Sequence, residues 1–123
     1  MSTPSSTPAV SARHGSVMNP HVVTICGSTR FREAIAAANR KLTLAGQVVL
    51  APGVFAHNDA PDADPISDAD KQRLDRLHLA KIDISCWVLV VNPGGYIGDS
   101  TRREIAYAGA VGVPVQYLEQ VAS

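Results

Sequence analysis

The sequence predicts an α/β fold: an open, all-parallel sheet of about four to five strands, order 2-1-3-4, with helices on both faces. Three observations predict it. From His21 onward, short β-branched runs alternate with stretches of helical period. The most continuous apolar run, Trp87 to Val91, reads as a strand buried on both faces. Glycine-containing turns, Gly27-Ser28-Thr29 and Gly94 to Thr101, follow the first and third strands, where the chain passes into helices.

The elements follow in order. Met1 to Pro20 is rich in Ser, Thr and Pro and carries no hydrophobic period. It cannot bury enough surface to offset its ordering entropy, so a disordered tail is expected over 1–20. His21 to Ser123 is expected to form one α/β domain, a usual size for a single core. Val22 to Cys26 is the first strand. Phe31, Ile35, Ala38, Leu42 and Ala45 then recur on one helical face, and Gly46 is a natural residue to end that helix. Val48 to Ala51 is the second strand, stopped by Pro52-Gly53. A polar loop with Asp59, Asp62 and Asp64 follows; a solvated acidic loop is commoner than a lid. Ser67 caps a helix to about Lys81, with Leu74, Leu77 and Lys81 along one side. After the Trp87 strand, a helix from about Thr101 to Val111 ends at Gly112, and Val113 to Leu118 is the last strand. Trp87 is expected in the core, and Asp83 in a structural role at the sheet end away from the turns.

Right-handed crossovers place strands one and three side by side, with the winding reversing between them. Ligands of such sheets bind outside the carboxyl ends of the strands at this switch point. Both glycine turns leave those two ends, so the topology alone points to one pocket. Gly27-Ser28-Thr29-Arg30 can hold a phosphate or ribose through free N–H groups and the helix dipole, with Arg30 adding a charge-assisted bond. It can equally be a tight turn with Ser28 or Thr29 as a cap. Thr101-Arg102-Arg103-Glu104 has the T-x-x-E capping-box pattern, in which Glu104 only bonds the Thr101 N–H. Alternatively, Glu104 faces the pocket as a carboxylate nucleophile on an anomeric carbon. His78, flanked by Asp75 and Asp83, reads from its neighbours as a packing residue.

The run Gly94-Gly95-Tyr96-Ile97-Gly98-Asp99-Ser100-Thr101-Arg102-Arg103-Glu104-Ile105-Ala106-Tyr107-Ala108 resembles the signature of the nucleoside 2-deoxyribosyltransferase-like superfamily. That group includes nucleoside deoxyribosyltransferases and nucleoside 5′-monophosphate N-glycosidases. Ile25 to Arg30 also fits the family's first turn, and the likeness spans His21 to Glu119. The family fold is a flavodoxin-like (Rossmann-like) three-layer sheet. The resemblance implies Glu104 as the nucleophile on C1′ of a (deoxy)ribosyl group. It implies substrate binding by Gly27, Ser28, Thr29, Arg30, Gly94, Gly95, Asp99, Ser100 and Thr101. It further implies no cofactor, a nucleoside or nucleotide partner, and a homodimer or larger oligomer; the short chain and the basic residues Arg30 and Arg102 favour the nucleotide. The chain departs from the family twice. His78 stands where an aspartate helps to protonate the departing base, and Ser85-Cys86 replaces Ala-Asp. The catalytic pair is therefore Glu104 with His78, or with an aspartate the sequence does not single out. A histidine can serve as acid near neutral pH. Hydrolysis or base transfer would follow; a non-catalytic nucleotide sensor with the same pocket is the alternative.

Composition narrows the classes. Eleven basic and eleven acidic side chains cancel, which argues against nucleic acid polymers and anionic membranes as partners. Aromatic residues are 5%, too few for a stacking platform. Cys26 and Cys86 lie in apolar runs and read as buried thiols. No histidine has a second ligand at i+3 or i+4, so no metal site is expected. No apolar run approaches the ~18 residues of a membrane helix, and the first residues lack a secretory h-region. A cytoplasmic protein is the expectation.

Overall fold

A computed structural model describes residues 21–55 and 65–120. The expected tail over 1–20 and the loop carrying Asp59, Asp62 and Asp64 lie outside the described residues. The strands are β1 (Val22–Cys26), β2 (Val48–Leu50), β3 (Trp87–Val90) and β4 (Val115–Tyr117). The helices are α1 (Arg32–Leu44), α2 (Asp68–Asp83) and α3 (Asp99–Ala110). All strand pairs are parallel and the order is β2-β1-β3-β4, as the alternating pattern predicts; the described residues form four strands. Val22 pairs with Val48, Cys26 with Val90, and Val90 with Tyr117, which brings the carboxyl ends of β1 and β3 level.

Strand period two divides the core. Val23, Ile25, Leu89 and Val91 face one side and pack against Ile35 and Ala38 of α1. Cys26, Val88 and Val90 face the other side and meet Ile82 of α2 and Ala108 of α3. The β1-α1-β2 crossover runs outward in one direction. The β2-α2-β3 and β3-α3-β4 crossovers run in the other. A constant right-handed crossover therefore lands α1 opposite α2 and α3. Three layers follow from that rule.

The helix boundaries carry the local chemistry. The expected α1 opens as a one-turn 3₁₀ segment, Thr29–Phe31, before the α-helix begins. Gly46 follows α1 at φ +92°, the left-handed conformation that closes a helix. Ser67 does cap α2, in a reciprocal box: the Asp70 N–H donates to Ser67 Oγ at 3.0 Å, and the Ser67 N–H donates to Asp70 Oδ2 at 3.4 Å. α2 continues to Asp83, whose carboxylate accepts from the Tyr107 hydroxyl at 2.6 Å and ties α2 to α3. Trp87 is half-buried, with its indole N–H on Gln47 Oε1 at 3.1 Å. Of the two expected buried thiols, Cys26 is fully buried and Cys86 half-buried; both are free. No described helix is long and apolar enough to cross a membrane.

Candidate active site

The carboxyl ends of β1 and β3 open into a cleft of about 920 Å³. Its floor is the Gly27–Thr29 turn, one wall is α2, and the opposite rim runs from Tyr96 to Glu104. Gly27 is required by close approach. A Cβ there would sit 2.8 Å from the Val91 carbonyl oxygen, where β1 and β3 leave the sheet side by side.

The position of Glu104 depends on where α3 starts. The T-x-x-E pattern predicts a start at Thr101, but the helix begins at Asp99 with Gly98 as its N-cap. Gly98 contributes no side-chain cap; its carbonyl accepts the Arg102 N–H at 2.9 Å. Thr101 is thus inside the helix and buried, and Glu104 lies in the second turn, not the first. The capping-box reading of Glu104 is overturned. Its side chain, 14% exposed, turns inward instead towards Cys26 and His78.

These three groups come from three elements. His78 Nε2 lies 3.4 Å from Cys26 Sγ and 3.8 Å from Glu104 Oε1. The Cys26 sulfur, the His78 nitrogen and a Glu104 oxygen all lie within 4.8 Å of one another. Burial pushes Glu104 up from 4.5 to about 7; the Asp75 carboxylate adds to this, while the Cys26 thiol, Arg103 and Lys81 act the other way. Burial, then the charge of Lys81, pushes His78 down from 6.5 to about 4, against a hydrogen bond with the Ile25 backbone and the Asp75 charge. Burial and the neighbouring Glu104 push the Cys26 thiol well above its ordinary value. At 3.8 Å, with His78 neutral, the His78–Glu104 contact is not an ion pair near pH 7. The expectation of His78 as an acid near neutral pH meets this obstacle: burial withholds the proton it would donate.

Of the other residues expected to bind substrate, Gly27, Ser28, Thr29, Asp99, Ser100 and Thr101 line the cleft. Arg30, Gly94 and Gly95 are not among its lining residues. The Arg30 guanidinium sits 4.7 Å over the Tyr96 ring, and it is Tyr96 that lines the cleft. Gly94 and Gly95 belong to a 3₁₀ turn, where the Gly94 N–H donates to Glu119 Oε2 at 3.1 Å. Sequence reasoning missed Cys26, Lys71, Asp75 and Lys81 as site residues. A readable signal existed for Lys71, Asp75 and Lys81: with His78 they recur at helical spacing and form one polar stripe on α2. The expectation of no metal-ligand set rested on local spacing. The fold instead gathers sulfur, nitrogen and oxygen donors from β1, α2 and α3 within 4.8 Å of one another.

No family model matches the chain, and no curated protein matches it in sequence. Among solved structures it is similar to a 2-deoxyribosyltransferase from the psychrotolerant bacterium Bacillus psychrosaccharolyticus. The TM-score is 0.60 at 17% identity, over 82% of this chain and 77% of that one. The two share a fold. That fold is the flavodoxin-like α/β sheet expected from the sequence, and its switch point is where the cleft opens.

Proposed function

We propose that this protein cleaves the N-glycosidic bond of a nucleoside or nucleoside 5′-monophosphate, with Glu104 as the nucleophile on C1′. The observation that carries the reading is one largely buried carboxyl, held at about 7, on a cleft at the switch point of the sheet. The likeness in fold to a protein described as a 2-deoxyribosyltransferase for nucleoside synthesis supports the substrate class. In the first step a Glu104 oxygen bonds to C1′ as the C1′–N bond breaks. The base leaves with the electron pair and takes up a proton. In the second step water, or a second base, attacks C1′, and Glu104 departs as a carboxylate. A desolvated carboxylate is a better nucleophile than a hydrated one because no water shell has to be stripped from it.

His78 is neutral in this reading and acts as a positioning residue beside Glu104. The departing base takes its proton from solvent in the open cleft, which Asp75, three residues before His78 on α2, also lines. The Gly27-Ser28-Thr29 turn takes the 5′ end of the sugar. Among the described residues, the cleft-lining cation available to a 5′-phosphate is Lys71; the Lys81 ammonium donates to the Ala51 carbonyl at 2.8 Å. The test is chromatography for free base over a panel of nucleosides and nucleoside 5′-monophosphates, with and without an acceptor base. The wild type releases base and Glu104→Gln does not. Acceptor dependence separates transfer from hydrolysis. Ligand-induced thermal stabilisation without any release would favour a nucleotide sensor and overturn the catalytic reading.

A further inference from the structure

We propose that Cys26, His78 and Glu104 form a binding site for one thiophilic divalent cation, of the Zn²⁺ class, with its fourth position open to the cleft. The donor atoms lie within 4.8 Å of one another and come from β1, α2 and α3, so the fold itself assembles the set. Zinc bonds of about 2.3 Å to sulfur and about 2.0–2.1 Å to nitrogen and oxygen put tetrahedral ligands roughly 3.3–3.6 Å apart. The Sγ–Nε2 separation of 3.4 Å falls in that range, and the Nε2–Oε1 separation of 3.8 Å needs only a small inward turn of the carboxylate.

Chemistry selects the ion. A sulfur, an imidazole nitrogen and one carboxylate suit zinc and not magnesium or calcium, which require shells of oxygen. Cys26 and His78 are buried in the described structure, so close packing fixes where their donor atoms sit. Glu104 and His78 border the cleft, so the open position faces it. Three protein ligands and one open position is the arrangement of an accessible zinc site and not of a closed structural one. Binding displaces the thiol proton, and any proton on Glu104, to solvent as the metal–ligand bonds form.

One consequence rests on the proposed function: a Glu104 oxygen bound to metal cannot attack C1′. The metal-loaded protein is then the inactive form, and a chelator restores base release.

The test uses the whole chain after dialysis against a chelator, with Co²⁺ as the spectroscopic probe and Zn²⁺ as competitor. One equivalent of Co²⁺ is expected to give a thiolate-to-metal charge-transfer band and tetrahedral d–d absorption, both removed by one equivalent of Zn²⁺. Cys26→Ser is expected to abolish the charge-transfer band. His78→Gln is expected to weaken binding at least about tenfold. Cys86→Ser, at the half-buried thiol outside the cluster, is expected to leave the spectrum unchanged. Because Cys26→Ser alters the core, the wild type provides a second readout: Zn²⁺ raises its melting temperature. A wild type with neither band nor Zn²⁺-dependent stabilisation would overturn the site, as would a band that survives Cys26→Ser. Metal binding without base release in chelator would sink the proposed function and leave the site standing. Base release without metal binding would do the reverse.

Discussion

Glu104→Gln should stabilise this protein, and the gain should grow with pH. Burial raises the Glu104 carboxyl from 4.5 in the unfolded chain to about 7 in the fold. Between those values the folded state holds a proton that the unfolded state has released. Stability from this group is therefore lost as pH rises from about 4.5 through 7. At about 1.36 kcal/mol per pH unit the loss reaches about 3 kcal/mol above pH 7. The side chain is only 14% exposed, so solvent screening leaves most of it in force. Glutamine keeps the shape and places an oxygen in the same cluster, but never ionises. His78 contributes the opposite sign. Its value falls from 6.5 to about 4, so its stability is lost as pH falls through that window. In the wild type the two nearly cancel between roughly pH 4.5 and 6.5; in the difference between variant and wild type His78 drops out. Thermal melts of both proteins at pH 4.5, 6 and 8 read the difference. The variant should match the wild type at pH 4.5 and exceed it by about 3 kcal/mol at pH 8, on the order of 10 °C for a chain of this size. A difference independent of pH, or a variant that loses ground as pH rises, would refute the argument that Glu104 is a desolvated, ionising group.

Other perturbations read other parts of the account. The pH profile of kcat/KM for base release should rise with an apparent pKa near 7, since attack requires the Glu104 carboxylate; a limb near the ordinary carboxylate value would contradict its burial. Gly27→Ala places a Cβ 2.8 Å from the Val91 carbonyl and should cost about 1–3 kcal/mol in chemical denaturation; an unchanged midpoint would show that the β1–β3 ends can spread. Ser67→Ala removes the α2 cap and should cost about 1 kcal/mol, with the cleft chemistry intact; a much larger loss would mean that Ser67 does more than cap.

The sheet was legible because its strands have two distinct faces. Val23 and Ile25 alternate with Thr24 and Cys26, and Val88 and Val90 with Leu89 and Val91, so apolar runs and crossover handedness suffice to order them. The start of α3 was not legible, because Gly98 caps it through its backbone alone while Thr101 and Glu104 imitate a side-chain box three residues later. The direction of Arg30 was equally hidden: its charge suits a phosphate, but the Tyr96 ring that attracts it comes from another part of the chain. The Cys26–His78–Glu104 cluster could not be read from spacing, since residues 52 apart meet only after α2 crosses the sheet.

The most direct test of the central claim is intact-mass and peptide mapping of protein quenched in acid within the first turnover on a nucleoside or nucleotide that it cleaves. Covalent catalysis by Glu104 gives a transient mass increase equal to one (deoxy)ribosyl or (deoxy)ribosyl-phosphate group, on the peptide carrying Glu104 and absent from Glu104→Gln. Full base release with no adduct, or with the adduct on another residue, would contradict it.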